Sequence, residues 1–156
     1  LVGSEMCIRD RFHAGIKNNN NFHYGIFYKE NNKLIGVIKL GIVNWVHKIS
    51  DLIVFMGDAD YLGKGLAVDA VNEGNEKAFN EHKLRKLYGS MYKDNVASVK
   101  AYLNTGWIIE GIMKDQYLHE GISQDRILVA CFNPTIFKDE YHKKGLHSFE
   151  DIYQAN

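Results

Sequence analysis

The pattern of apolar and polar residues in the first third of the chain is typical of β-strands. Residues 22–29 and 34–43 are rich in aromatic and β-branched residues, and the polar run at 30–33 predicts the turn of a hairpin between them. A third strand is predicted at residues 50–57. Its continuous apolar run, residues 52–56, is typical of a strand that is covered on both faces.

The spacing of apolar residues then changes from that of strands to that of a helix. Leu66, Ala70, Gly74 and Ala78 lie four residues apart, which predicts a helix from residue 64 to about residue 80 with one buried face. Glycine inside a helix costs about 1 kcal/mol relative to alanine. Gly74 therefore indicates close packing, or a bend, at that point of the helix.

The second half of the chain continues with strands and one more helix. Asn95 is expected to cap a helix that ends at Gly106. A short helix is expected in the polar tail that follows the only proline, near residues 136–144. Strands are predicted at residues 86–92, 107–114 and 126–133, the last two joined through residues 115–125.

This order of elements predicts a mixed α/β domain with antiparallel strands at both ends. A length of 156 residues suits a single domain, which we expect at residues 22–133 with a C-terminal extension at 134–156. Residues 1–21 are atypical, and we expect a truncated or foreign segment there. The first strand would then be missing, with at most one helix near residues 6–17 covering the hairpin.

Composition narrows the classes of partner and compartment. The chain has 19 basic and 19 acidic residues, which argues against nucleic acid or an anionic membrane as the main partner. Cys7 and Cys131 are too few for a disulfide framework or a four-ligand zinc site, so we expect no metal and a reducing, cytoplasmic compartment.

Gly63, Lys64 and Gly65 stand where a predicted strand leads into a predicted helix. The spacing of the neighbouring glycines does not match a Walker A loop, and Val68 occupies the last glycine position of a dinucleotide fingerprint. A glycine turn at a helix N-terminus still leaves backbone N–H groups open to an anion. The alternative is a tight turn that binds nothing, and the turn alone does not decide between the two.

Four short motifs together resemble the GCN5-related N-acetyltransferase (GNAT) superfamily, in the branch of ribosomal-protein and amino-sugar acetyltransferases. They are "LGKGLA" at residues 62–67, "NVAS" at 95–98, "AYLNTGW" at 101–107 and "EG" at 110–111, and the resemblance covers about residues 22–132. It implies a mostly antiparallel central sheet flanked by helices. Two of its strands, at 50–57 and 86–92, would splay apart and hold the pantetheine arm of acetyl-CoA.

The resemblance also assigns roles to individual residues. The glycine turn would hold the CoA pyrophosphate, although Leu62 departs from the usual Arg or Gln. Tyr102 would be the general acid that protonates the sulfur, with a half-buried packing residue as the alternative. The predicted cofactor contacts are Met56, Gly57, Leu62, Gly63, Lys64, Gly65, Leu66, Ala67, Asn95 and Ser98.

The spacing within the second predicted helix supports this assignment independently. Asn95, Ser98 and Tyr102 are separated by three and four residues, so they share one helix face. Capping of the helix by Asn95 is an alternative explanation for that residue.

Acetyl transfer to an amine requires a neutral amine, a donor for the oxyanion and a proton for the departing thiolate. We expect the oxyanion donor to be an N–H group near Met56 and Gly57. The base is not identified by the sequence, and the candidates are Asp51, Asp58, Asp60, Glu110, His119 and Glu120. Cys131 lies in an apolar strand where burial makes a thiol inert, so direct transfer is favoured over a covalent route.

The expected acceptor is a small-molecule amine, with an amino sugar favoured. The segment at residues 117–125 and the pair Asn44 and Trp45 could supply aromatic faces and hydrogen-bonding groups to a sugar. The alternatives are a protein N-terminus and a domain that binds CoA without turnover. A homodimer is compatible with the resemblance.

Overall fold

The computed structural model describes residues 6–12 and 20–153. The chain divides into two compact units, residues 1–87 and 88–156. Each unit combines strands with helices, and the four strand pairings with a recorded register are antiparallel, so the predicted mixed α/β class is confirmed.

The first unit is a four-stranded antiparallel sheet with one long helix. The strands follow one another in the order β1-β2-β3-β4. A 3₁₀ turn at Ala59–Tyr61 precedes the helix, and a π-helical turn at Lys77–Glu81 follows it. The elements are β1 (Met6–Phe12), β2 (Phe22–Tyr28), β3 (Lys33–Leu40), β4 (Ile49–Met56) and α1 (Leu66–Glu76).

β1 corrects the expectation for the N-terminal segment. Instead of a helix, residues 6–12 form a strand that pairs antiparallel with β2, with Met6 opposite Tyr28. The physical reason is that the edge of β2 offers a row of N–H and C=O groups, and pairing with them outweighs a weak helical preference. The remainder of the predicted helix, residues 13–17, lies outside the described residues.

Helix α1 packs on one face of β3 and β4, as its apolar spacing predicts. Leu66, Ala70 and Val71 are buried. Gly74 packs closely, because a Cβ added there would lie 2.7 Å from Leu52 Cδ1 and 3.4 Å from Ile38 Cγ2. The glycine therefore allows the helix to approach the sheet, which is one of the two alternatives expected from the sequence.

The opposite face of β4 is exposed, which corrects the expectation of a strand covered on both faces. Ile53 is 45% exposed and Phe55 is 66% exposed. Phe55 lies opposite Val37 of β3, so the apolar surface continues across both strands. A continuous apolar run predicts burial only when layers exist on both sides of the sheet, and in the described residues α1 covers one side of β4.

The second unit contains a long hairpin and two short helices. Strand β5 (Lys86–Tyr92) crosses the boundary between the units, and the order of strands is β5-β7-β6. A 3₁₀ turn at Glu140–Lys143 lies within the range predicted for a short helix, whereas α3 was not predicted. The other elements are α2 (Val96–Leu103), β6 (Ile108–His119), β7 (Ile122–Phe132) and α3 (Phe149–Tyr153).

Residues 115–125 are mostly strand, not the connection that the sequence predicted. β6 and β7 continue through most of this segment and meet at a tight turn, where Glu120 and Gly121 have φ values of 51° and 79°. Two left-handed residues match the twist of a two-residue hairpin. The sequence did not predict these strands because residues 115–125 are mostly polar and show little alternation with apolar residues.

We expect Gly74→Val to destabilise the protein by about 1–3 kcal/mol, because the larger side chain would overpack against Leu52 and Ile38. Urea unfolding would measure the change. Asn72→Val, at an exposed position of the same helix, is the matched control and should stay within about 0.5 kcal/mol of the parent. Equal effects of the two substitutions would contradict close packing at Gly74.

Candidate active site

The turn between β4 and α1 places two glycines in left-handed conformations. The Asp58 side chain accepts a hydrogen bond from the Asp60 N–H at 3.1 Å and thereby caps the 3₁₀ turn. Gly63 and Gly65 follow with φ values of 73° and 78°, which residues with a side chain rarely adopt. Helix α1 then begins at Leu66, two residues later than predicted.

Five consecutive N–H groups, those of residues 63–67, are available at this turn. The first helical hydrogen bonds are donated by Val68 and Asp69 to the carbonyl of Gly65, and the part of the chain described here records none from residues 63–67. A Cβ added to Gly63 or Gly65 would meet nothing within 4 Å. The amides at the N-terminus of α1 therefore face open space, which fits a bulky anion such as a pyrophosphate.

The charges around the turn favour an anion at Lys64. Lys33 Nζ lies 2.6 Å from Asp58 Oδ2, and this hydrogen bond holds the pKa of the Asp58 carboxyl below its usual range. The Lys64 ammonium lies 5.1 Å from the centre of the Tyr61 ring and also helps to lower the pKa of the Asp58 carboxyl, but no ion pair within 4 Å is recorded for it in the described residues. Leu62 has an exposed apolar side chain and offers an anion no side-chain donor.

The register of β3 and β4 decides which amide of the Met56–Gly57 pair is available. The Gly57 N–H donates to the Ile35 carbonyl at 2.9 Å, so Gly57 cannot be the free oxyanion donor that was predicted. Met56 lies opposite Gly36 in the non-hydrogen-bonded position of the same ladder. Its N–H therefore points to the edge of β4 away from β3, and Met56 stays the candidate.

Several predicted residues lie at the other end of β4. Asn44 and Ile49 form a bridge where β4 begins, which places Trp45 and His47 there as well. The eight residues of β4 separate this end from Gly57 by roughly 26 Å. Asn44 and Trp45 therefore cannot line an acceptor site at Gly57, and Asp51 is too far from it to act as the base.

An open depression that the sequence did not reveal adjoins Gly57. It has a volume of about 390 Å³ and lies where β3 begins and β4 ends. A β-bulge near Ile26 shifts the register of β2 and β3 and turns Leu34 to the same face as Val37. We call it the β3–β4 depression; its principal lining residues are Leu34, Val37, Phe55, Gly57, Asp58 and Ala59.

In the second unit, α2 begins as the sequence predicts. The Asn95 side chain accepts a hydrogen bond from the Ser98 N–H at 3.2 Å, so its capping role is confirmed. The amide oxygen of Asn95 is thus engaged, which leaves Nδ2 as the atom for any cofactor contact. The cofactor roles of Asn95 and Ser98 stay predictions.

Tyr102 lies on the buried face of α2 beside Val99. It is 6% exposed, and its ring meets the Trp107 ring edge to face with centroids 4.8 Å apart. Tyr102 therefore packs in the core of the second unit. Its role as the general acid stays a prediction.

The remaining base candidates are divided between the two units, and neither unit by itself singles out a base. His119 and Glu120 lie at the tip of the β6–β7 hairpin, and Asp60 is exposed beside the glycine turn. The His119 ring lies 5.8 Å from the Tyr92 ring, which also contacts Tyr117. The base is unassigned.

Comparison with known proteins supports the same class. A family model described as the acetyltransferase (GNAT) domain matches residues 4–108, more than half of the chain. The chain therefore belongs to the GNAT acetyltransferase family, and its recognition from the motifs is confirmed.

Among the described residues, no helix is long and apolar enough to cross a membrane.

Curated relatives are acetyltransferases. The chain is 27% identical over 113 residues to a probable N-acetyltransferase, YjcK, of Bacillus subtilis, covering 72% of this chain and 62% of the relative. It is 26% identical over 92 residues to a spermidine N(1)-acetyltransferase of Vibrio cholerae, covering 59% of this chain and 53% of the relative. The chain thus spans less than two thirds of the length of these relatives.

Solved structures show the same fold. A dodecameric spermidine N-acetyltransferase from Vibrio cholerae superposes with a TM-score of 0.71 at 21% identity, covering 78% of this chain and 70% of that chain. A chimera of the Vibrio cholerae enzyme reaches a TM-score of 0.74 at 16% identity, covering 85% of this chain and 98% of that chain. The mostly antiparallel sheet flanked by helices is the shared feature.

We expect Gly65→Asp to weaken acetyl-CoA binding by about tenfold or more, because a carboxylate would occupy the site proposed for the pyrophosphate. Calorimetric titration would measure the dissociation constant. Gly121→Asp is the matched control, since Gly121 also has a left-handed φ (79°) and open space around it. Similar losses in both variants would assign the effect to backbone strain and contradict an anion site at Gly65.

We expect Cys131 to be almost unreactive in the folded protein. Burial raises the pKa of its thiol to about 12, as anticipated for this apolar strand. The thiolate fraction at pH 8 is then about 10⁻⁴. Iodoacetamide labelling at pH 8, mapped by mass spectrometry, should modify Cys131 in urea but not in buffer, and equal labelling would refute its burial.

Proposed function

We propose that the chain is an acetyl-CoA-dependent N-acetyltransferase that acts on a primary amine of a small molecule. The observation that carries this proposal is the run of open amides at residues 63–67, in a chain of the GNAT family. Enzymes of that family use acetyl-CoA as co-substrate. The left-handed glycines give the pyrophosphate direct access to the backbone.

In the first unit, the glycine turn and the end of β4 carry the proposed cofactor contacts. The amides of residues 63–67 and the Lys64 ammonium would hold the pyrophosphate, and Leu62 would add only apolar contact. The Met56 main chain would pair with the pantetheine arm at the C-terminal end of β4. In the second unit, the cofactor contacts of Asn95, through Nδ2, and of Ser98 stay predictions.

The reaction requires one proton to leave the nitrogen and one to reach the sulfur. As the neutral amine attacks, an N–C bond forms and the C–S bond breaks, giving an amide and a thiol. The Met56 N–H would stabilise the negative charge on the acyl oxygen. Tyr102 would supply the proton to the sulfur, and the nitrogen proton would pass to solvent.

A small-molecule acceptor is favoured over a protein N-terminus. Several relatives are named spermidine N(1)-acetyltransferases, which act on a small amine. An amino sugar has less support than the sequence indicated, because Asn44 and Trp45 lie at the far end of β4. In the predicted sugar segment the Tyr117 ring still offers an aromatic face, and it lies 4.4 Å from the Tyr92 ring of β5.

Thiol release from acetyl-CoA in the presence of a mixed panel of amines and free N-terminal peptides tests the proposal. We expect release that depends on a small amine. Binding of acetyl-CoA without release by any amine or peptide would instead identify a CoA-binding domain without turnover. Release with the peptides alone would identify a protein N-terminal acetyltransferase.

We expect Tyr102→Phe to lower kcat by about 10²–10⁴ with little change in acetyl-CoA affinity, because a general acid is lost. Steady-state kinetics and calorimetry would separate the two effects. Tyr141→Phe removes an exposed hydroxyl from a 3₁₀ turn and serves as the control. A kcat within twofold of the parent in Tyr102→Phe would leave Tyr102 with its packing role alone.

A further inference from the structure

The two faces of the β3–β4 sheet differ in what they can receive. Helix α1 covers one face, where Gly74 meets Leu52, and the open amides lie at the N-terminus of that helix. The opposite face carries the exposed Phe55 and the β3–β4 depression, which reaches Gly57. In direct transfer the acceptor needs a surface of its own that reaches the end of β4, and the depression provides one in the first unit.

Among the described residues that line the depression, Asp58 is the one with a polar side chain, and main-chain groups add further polar surface. Leu34, Val37, Phe55 and Ala59 contribute only hydrocarbon. Both oxygens of Asp58 already accept hydrogen bonds, Oδ2 from Lys33 Nζ and Oδ1 from the Asp60 N–H. The charge of Asp58 is therefore offset by Lys33, and the described lining holds no second carboxylate or polar side chain for additional ammonium groups or for the hydroxyls of a sugar.

An apolar surface also favours the reactive form of an amine. Desolvation disfavours the charged ammonium and lowers the pKa of an amine. The neutral form that attacks the thioester is thereby more populated near neutral pH. This property compensates in part for the absence of an assigned base.

We infer that the acceptor is a primary monoamine with an apolar body, such as an arylalkylamine or an alkylamine. Its hydrocarbon part lies against Phe55 and Val37 in the β3–β4 depression, and its nitrogen lies at the Met56–Gly57 end of β4. A volume of about 390 Å³ suits a small ligand of this kind. The inference rests on the proposed acetyl transfer and specifies its substrate class.

Two variants on the same exposed face test this assignment. Phe55→Ser removes the largest apolar side chain that lines the depression, whereas Ile53→Ser removes an exposed apolar side chain two residues away that does not line it. Thiol release would be measured for the parent and both variants with phenethylamine, hexylamine, spermidine and glucosamine. The same proteins would be titrated with acetyl-CoA.

The expected result is preferential turnover of phenethylamine and hexylamine by the parent. Their kcat/KM should fall by about tenfold or more in Phe55→Ser, chiefly through KM, because apolar contact area is lost. Ile53→Ser should stay within about twofold of the parent.

Two results would overturn the inference, and they are distinguishable. Faster turnover of spermidine or glucosamine, or equal effects of the two variants, would reject the substrate class and leave acetyl transfer standing. Thiol release with none of the four amines, together with no binding of acetyl-CoA, would reject both the substrate class and the proposed function.

Discussion

The antiparallel register between β3 and β4 is the constraint on which the candidate site of the first unit depends. The hydrogen bond from the Gly57 N–H to the Ile35 carbonyl fixes which residues of β4 face β3 and which face the opposite edge. Because the pairing alternates, the same bond directs the Met56 N–H outward and keeps Phe55 opposite Val37 on the open face. A slip of one residue would exchange these roles and shift the glycine turn relative to β3.

The site combines two kinds of recognition that follow from different parts of the chain. The proposed anion site would be made by main-chain amides, so it would depend on the conformations of Gly63 and Gly65 more than on side chains. For this reason an anion site at this turn tolerates Leu62 in place of the usual Arg or Gln. The β3–β4 depression, in contrast, is made by side chains such as Phe55, and its chemistry changes with each substitution.

The sequence predicted those features that depend on local pattern. The helical spacing of Leu66, Ala70 and Gly74 predicted α1, its buried face and its close packing, and Asn95 predicted the start of α2. These features are determined within a few residues of the chain, which is why the sequence was sufficient.

The features that the sequence missed depend on partners distant along the chain. The pairing of residues 6–12 with β2, the exposure of Phe55 and the engagement of the Gly57 amide each require knowledge of a neighbouring strand. The position of Asn44 and Trp45 at the far end of β4 likewise follows from topology. Hydrophobic periodicity carries no information about which strand is the neighbour.

The backbone origin of the anion site has a consequence for its response to acidity. Amide N–H groups do not titrate in the physiological range. An anion held by such groups experiences an almost constant positive potential from mildly acidic to mildly alkaline solution. Any dependence of the reaction rate on pH in that range would originate in the amine and in the groups that handle its proton, and not in the binding of the cofactor.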